Sequence, residues 1–346
     1  MAIRIGLIGA GIMGADHARM IAAGVGGAEL VAVHDQDMQR ARAVADASGA
    51  PKPIESAATL IADPAVDAVL IAAPDQTHAP LAIACIEAGK PVLVEKPLAS
   101  TLEGCRAVIA AEMKAGRRLV QVGFMRRFDP GYLAMRDVVA KQRLGAPLFL
   151  HCVHRNAVAP DYLTSELVIA NSAVHEIDIA RFLLAEEFAA VTVVSPRASS
   201  RAPARQPQFI VLETRSGVVV DIEAFVDAGY GYEVKAELVC ETGAVTLAPN
   251  PAVVTREAGQ EVFSVEPDWR SRFKAAYQDQ LIAWVDSIRT GRPTGSSAWD
   301  GYAASSAAAI CIEAWQSRTK TAIEIEDAPG FYKSGRGLLA GSPGLR

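Results

Sequence analysis

The first fourteen residues limit the fold more than any later stretch. Ile3 to Ile8 is a short apolar run with strand character. Gly9-Ala10-Gly11-Ile12-Met13-Gly14 follows it directly, and a helical pattern runs from about Ile12 to Ala23. Gly9 permits a tight turn, Gly11 lets the backbone approach a pyrophosphate, and Gly14 lets the helix lie close on the strand. The helix then turns unpaired amides and the positive end of its dipole towards phosphate. The next strand, Glu29 to His34, is followed by Asp35. A carboxylate there accepts hydrogen bonds from ribose hydroxyls and repels the extra phosphate of NADP, so NAD is the expected cofactor. Asp35 also suits a plain strand-to-helix cap, and the nearby Arg40 and Arg42 would soften the preference for NAD.

The alternation of strand and helix continues through Ala68 to Ala73, Thr77 to Ala88, Pro91 to Val94, Thr101 to Ala115 and Leu119 to Val122. This is the pattern of a parallel sheet covered on both faces. After Gly123 it breaks down. A helix from Gly131 to Lys141, the strand Pro147 to Arg155 and a helix from Ala173 to Leu184 come next. Strands at hairpin spacing follow, with turns at Gly217 and Gly243 and a last member at Ala252 to Thr255. Helices from about Phe273 to Arg289 and Ala298 to Arg318 complete the pattern. The expected fold class is α/β: an N-terminal doubly wound parallel sheet over 1–122, and an α+β domain with a large, open, mostly antiparallel sheet over 123–346. Ser195 to Gln208, rich in Ser, Arg, Ala and Pro, reads as an exposed hairpin loop, and the Gly-rich tail after Pro329 carries no signal.

A chain of 346 residues with 51% hydrophobic residues can bury two cores. Its net charge of -5 argues against a nucleic-acid partner. No basic-then-apolar leader opens it, and no run of about 18 apolar residues could cross a bilayer, so neither export nor membrane contact is expected. The five cysteines are scattered without a C-x-x-C pair, which suits buried thiols in the cytoplasm, and no metal site is expected.

The chemistry-bearing residues fall at two places. Glu95-Lys96-Pro97 ends a strand at the edge where ligands of open α/β sheets bind. Lys96 there can hydrogen-bond a substrate hydroxyl and move its proton, although such a lysine also suits a surface charge. Pro74, Thr77, His78 and Glu95 stand at the ends of neighbouring strands and join the fingerprint residues, Ile12 and Met13 included, as cofactor-binding candidates. In Asn171-Ser-Ala-Val-His175-Glu-Ile-Asp178, spacings of four and three put Asn171, His175 and Asp178 on one helical stripe. His175 has the ordinary pKa of a general base near neutrality, and Asp178 is placed to orient its ring. A buried structural histidine is the competing reading.

Together these residues resemble the Gfo/Idh/MocA family of oxidoreductases, and within it the inositol branch. The likeness covers nearly the whole chain: the glycine fingerprint with His17, Glu95-Lys96-Pro97, Gly123-Phe-Met-Arg-Arg-Phe128, His154-Arg-Asn156, the His175-to-Asp178 helix and Tyr230-Gly-Tyr232. The resemblance implies a Rossmann domain followed by a domain whose open sheet joins subunits, in a homotetramer or dimer. It implies that Lys96 and His175 are the catalytic pair, and that Arg126, His154, Asn156, Tyr232 and Tyr277 hold polyol hydroxyls beside Lys96, Asn171 and His175. The implied reaction is oxidation of a ring secondary alcohol, with myo-inositol first; scyllo-inositol, an aldose, or a non-catalytic NAD-sensing role are the alternatives. The family pattern has Asp where Asn171 stands. Asn keeps the hydrogen bonding but not the charge, which points to a changed polyol or sugar rather than lost activity.

Overall fold

The computed structural model describes residues 2–50, 53–202, 205–247 and 254–333. The elements β1 (Ile3–Ile8), α1 (Ile12–Ala22), β2 (Ala28–His34), α2 (Met38–Ser48), α3 (Ala57–Ala62), β3 (Ala68–Ile71), α4 (His78–Glu87), β4 (Val92–Val94), α5 (Leu102–Ala115) and β5 (Val120–Val122) succeed one another. The five strands form one parallel sheet in the order β2-β1-β3-β4-β5. Pro53 adds a parallel bridge to Val33 of β2, and Ser296 an antiparallel bridge to Val122 of β5. With the Pro53 position counted, the sheet has the six-place order of a dinucleotide-binding fold, and Ser296 adds a seventh, antiparallel place at the other edge. The short helix α3 was not expected from the sequence; its cap is Ser56, whose hydroxyl accepts from Thr59 N.

Beyond β5 come a 3₁₀ turn (Met125–Phe128), α6 (Pro130–Ala140), β6 (Pro147–Arg155), α7 (Ser165–Leu167), a π turn (Val168–Ala173), α8 (Val174–Leu184), β7 (Phe188–Val194) and β8 (Gln208–Thr214). They are followed by β9 (Val219–Phe225), β10 (Glu233–Cys240), β11 (Gly243–Thr246), β12 (Val254–Glu257), β13 (Gln260–Phe263), α9 (Trp269–Thr290), α10 (Ala298–Ser317), β14 (Thr321–Ala322) and α11 (Gly330–Lys333). Seven strands make a mixed sheet in the order β11-β10-β6-β9-β8-β7-β14. Every pairing in it is antiparallel except β6 with β9. Side chains alternate inward and outward along these strands: Leu150, Cys152, Ile210, Leu212, Val220, Ile222, Ala236 and Leu238 are buried on one face. Helix α8, buried along all its length, packs on β6.

The chain divides into two compact units. One comprises the chain up to Phe124 together with Gln278–Ala303 and the stretch from Glu326; the other comprises Met125–Tyr277 and Ala304–Ile325. The second unit is therefore not a continuous block over 123–346. The physical reason is apolar burial: Leu281, Trp284 and Val285 of α9 belong to the core that holds Ile5, Leu7, Leu30 and Leu93 of the parallel sheet. In the same unit, buried Glu112 accepts from Leu119 N at 2.6 Å, Val120 N at 2.7 Å and the Tyr332 hydroxyl at 2.6 Å, which ties α11 to the start of β5.

Three further expectations need adjusting. Strand β12 starts at Val254, residues 252 and 253 lie outside the described residues, and β13 pairs with it as an unexpected partner. The β7–β8 connection is a hairpin, as expected, but it is not simply exposed. Ala202 and Gln208 are buried, Gln206 N donates to Ser165 Oγ at 3.0 Å, and Gln208 Nε2 donates to Ser165 O at 3.0 Å; residues 203 and 204 lie outside the described residues. Of the tail after Pro329, only α11 lies within the described residues, and it carries the buried Tyr332.

Candidate active site

In the first unit, the turn after β1 is shaped by its glycines. Gly9 has φ +98, and a Cβ there would run into the Ala72 carbonyl. A Cβ on Gly14 would meet the Gly9 carbonyl, whereas nothing stands within 4 Å of where one on Gly11 would sit. The helix N-terminus at Ile12 has no side-chain cap and no acidic residue in its first turn, and Ile12 itself is exposed. Uncapped amides behind an open glycine are what a pyrophosphate requires, and the residues fit NAD. Asp35 accepts from Ala10 N at 2.7 Å and from Asp37 N at 2.8 Å, so its carboxylate sits against the glycine turn. The cap of α2 is Asp37, which accepts from Gln39 N and Arg40 N; the carboxylate at 35 is not needed for that purpose. Arg40 Nε lies 3.9 Å from Asp35, while Arg42 makes no ion pair among the described residues.

The strand ends beside this turn are cross-tied. His17 on α1 is fully buried and bonds Glu95 at 2.7 Å through Nε2, and the second oxygen of Glu95 faces Lys96 N at 3.3 Å. A Cβ on Gly123 would come within 2.8 Å of that same carboxylate, so Glu95 fills the space between the ends of β4 and β5. Lys96 is half-buried, and its bond to Pro97 is cis. His78 lies between two loops, with Nδ1 2.6 Å from the Pro97 carbonyl and Nε2 2.8 Å from that of Ala73. Pro74 accepts from Thr77 through both N and Oγ1, each at 2.8 Å.

In the second unit, Arg126, His154, His175 and Tyr232 come together. The Arg126 guanidinium is buried; it pairs through Nη1 with Glu176, lies 3.5 Å from the Tyr232 hydroxyl through Nη2, and sits 5.2 Å from the centre of the Phe273 ring. His154 Nδ1 lies 2.9 and 3.1 Å from the two oxygens of Glu176. Its ring centre is 6.5 Å from that of His175 and 5.9 Å from that of Tyr232, edge-on. Burial pushes the Tyr232 hydroxyl up to about 12, so it stays protonated as a hydrogen-bond donor. Asn156 follows directly on β6, two residues after His154; its backbone pairs with Phe225 O and Ala228 N, and its buried side-chain oxygen has no hydrogen-bond partner among the described residues. Tyr277 lies against Trp269 on α9, one turn beyond Phe273, which touches Tyr232.

Asp178 accepts from Arg127 at 2.9 and 2.6 Å, a bidentate pair that the sequence reading did not foresee. Asn171 lies in the π turn, half-buried. Asn171 and His175 share one stripe only at α-helical spacing, and the wider π turn before the junction at Val174 changes the phase between them. Glu176 was the omission that matters most. Its only signal was a carboxylate inside a largely apolar helix, and such a group, once buried, needs a cation from elsewhere in the chain. Lys96 belongs to the first unit and His175 to the second.

This geometry can be set beside known proteins. The family model of oxidoreductases with an NAD-binding Rossmann fold, GFO_IDH_MocA, matches residues 3–124, and that of the GFO/IDH/MocA C-terminal domain matches 132–246. The chain is 49% identical to inositol 2-dehydrogenase 1 of Saccharopolyspora erythraea, covering 96% of this chain and 99% of that one. The chain belongs to the Gfo/Idh/MocA oxidoreductase family. A second member, inositol 2-dehydrogenase of Klebsiella pneumoniae, is 41% identical over 96% of this chain and 100% of its own. The fold is similar to that of myo-inositol dehydrogenase from Lactobacillus casei, solved in complex with NAD(H) and myo-inositol, with TM-score 0.92, 32% identity and coverage of 96% and 100%. The doubly wound parallel sheet and the mixed open sheet are thus those of a family member, and NAD is its cofactor.

The buried carboxylate of Glu176 titrates in a known direction. Burial raises it, but Arg126 and His154 outweigh burial and hold it below the ordinary value of 4.5. A carboxyl lowered in the folded state contributes stability that is complete above the unfolded value and is lost as pH falls through the folded one. Replacing Glu176 by Gln at pH 7 leaves Arg126 buried without its counter-ion, a loss of about 3–5 kcal/mol. Urea unfolding of the two proteins should show that gap at pH 7 and a narrowing gap below about pH 4. A gap independent of pH would mean that the pair does not carry the charge assigned to it.

Proposed function

We propose that this chain oxidises a ring secondary alcohol of a cyclic polyol, myo-inositol to its 2-ketone, with NAD. The observation that carries the reading is the buried group of Arg126, His154, Tyr232 and His175, with the Asn156 oxygen, two residues after His154, left without a hydrogen-bond partner among the described residues. Neutral hydroxyl-rich molecules need several convergent donors and acceptors and no excess charge. Here the Arg126 charge is already balanced by Glu176. The names of the relatives, inositol 2-dehydrogenases at 41% and 49% identity, support the same substrate.

The reaction removes a proton from oxygen and a hydride from carbon. NAD, when bound at the glycine turn, supplies the hydride acceptor. His175 takes the hydroxyl proton, and Lys96 hydrogen-bonds the same oxygen and assists. Arg126, His154, Asn156, Tyr232 and Tyr277 hold the remaining hydroxyls. Asn171 favours a second reading within this chemistry, another inositol isomer or an aldose, because an amide in the π turn cannot take up the proton that the usual family carboxylate can. NADH formation across a panel of inositols and monosaccharides separates the two. On the best substrate, Lys96→Ala and His175→Ala should each lower turnover by at least about 100-fold while NAD still binds. Full turnover in either variant removes that residue from the mechanism.

The protein assembles as a homo-oligomer, a tetramer or dimer, in the cytoplasm. Val194, Phe149 and Phe209 share the outward face of the seven-stranded sheet and are exposed on it, which is how a subunit interface looks when its partner is lacking. All five cysteines are buried, and burial raises Cys85 and Cys311 to about 12, as suits a reducing compartment. No helix among the described residues is long and apolar enough to cross a membrane. Light scattering should give a mass at least twice 36.5 kDa, falling when Phe149 and Phe209 are both changed to Asp; a mass of one chain in the unaltered protein contradicts the assembly.

A further inference from the structure

We infer that Glu176 is a positioning residue that sets the tautomer of His154, so that this imidazole meets a substrate hydroxyl as a hydrogen-bond acceptor beside a donating Arg126. The geometry stands whatever the substrate is; its consequence rests on the polyol reading given above.

Glu176, Arg126 and His154 form a closed buried set. The Glu176 and Arg126 side chains are 0% and 1% exposed, and that of His154 is 5% exposed. No water competes for their hydrogen bonds, so the protons go where the fixed partners put them. His154 Nδ1 has two kinds of neighbour. One is the carboxylate of Glu176, with oxygens at 2.9 and 3.1 Å; the other is Nη2 of Arg126, at 3.2 Å. These neighbours make opposite demands, because a carboxylate accepts only and a guanidinium donates only. A proton on Nδ1 satisfies the carboxylate and leaves an N–H facing an N–H at 3.2 Å. A bare Nδ1 satisfies the guanidinium and aims a lone pair at two anionic oxygens, both closer than the cation. Both bonds are charge-assisted, and the carboxylate prevails because its two oxygens are the nearer neighbours and a bare Nδ1 would set its lone pair against both of them. Arg126 loses little, because its Nη1 already pairs with Glu176.

With the proton held at Nδ1, the Nε2 atom of His154 presents a lone pair. Arg126 cannot accept, and Tyr232, its hydroxyl pushed up to about 12, remains protonated. His154 therefore supplies an acceptor to a group otherwise rich in donors, with His175 as its neighbour at 6.5 Å between ring centres. A pair of adjacent hydroxyls, one accepting from Arg126 and one donating to His154, matches this polarity. A ketone or ether oxygen at the second place does not, because it has no proton to give.

The test reads the tautomer directly. In the unaltered protein labelled with ¹⁵N-histidine, the His154 signals, assigned by their loss in His154→Asn, should show a protonated Nδ1 and an unprotonated Nε2. Glu176→Gln, whose side-chain amide donates as well as accepts, should shift the proton towards Nε2. It should also lower kcat/KM for the best polyol by at least about tenfold, mainly through KM, with the affinity for NAD unchanged. A protonated Nε2 in the unaltered protein overturns the inference even if the variant fails to fold, as does an unchanged kcat/KM in a folded variant. If no polyol reduces NAD at all while Nδ1 carries the proton, it is the substrate reading that fails.

Discussion

Helix α8 is buried at every one of its eleven positions and yet carries a histidine, two carboxylates and an arginine. That is the constraint around which the second unit is built, because an ionised group with no water and no partner is among the costliest things a fold can contain. Each charge is met. Arg126 and His154 answer Glu176, Arg127 answers Asp178, and Glu187 answers Arg181 at 2.7 Å. The two consecutive arginines come from the 3₁₀ turn at the head of the unit, and the histidine comes from β6. Turn, strand and helix are therefore held in one register by directional contacts, where apolar packing alone would allow sliding. The rings of His154, His175 and Tyr232 are fixed as a by-product of the same pairing.

The first unit solves a different problem with the same economy of parts. Its task is to leave backbone amides unsatisfied at one place, and the glycines at 9, 11 and 14 achieve this by bending the chain and clearing the space. Around that opening, the His17–Glu95 pair and the two hydrogen bonds of His78 hold the ends of β3, β4 and β5 and their loops. The segment from Gln278 to Ala303 belongs with this core through Leu281, Trp284 and Val285. The chain passes between its two units more than once, so a single cut in the sequence cannot separate them.

What was legible in the sequence follows from this division. Regular strands and amphipathic helices announce themselves by period, and β1, α2 and β6 lie where their residue patterns put them. The glycine turn was legible because each glycine answers a local steric demand. The allotment of α9 was not: its helical pattern shows which face is apolar but not which core that face meets. The π turn at Val168–Ala173 was hidden because the extra residue in a turn leaves no mark on composition. Glu176 was invisible as a site residue for a similar reason, since its partners stand 50 and 22 positions away and only the fold brings them near. Asp35 shows the opposite case, in which the structure assigns the capping duty to Asp37 and leaves the neighbouring carboxylate at the glycine turn.

The central claim is that a hydride leaves a ring carbon bearing a hydroxyl and passes directly to NAD. It is tested most directly by incubating the protein with myo-inositol deuterated at the carbon to be oxidised, in ordinary water, and locating the label by mass spectrometry and NMR. Deuterium at the fourth carbon of the nicotinamide ring, with a matching yield of deuterium-free inosose, is the predicted result. Deuterium retained in the inositol, or lost to water without appearing in NADH, contradicts it.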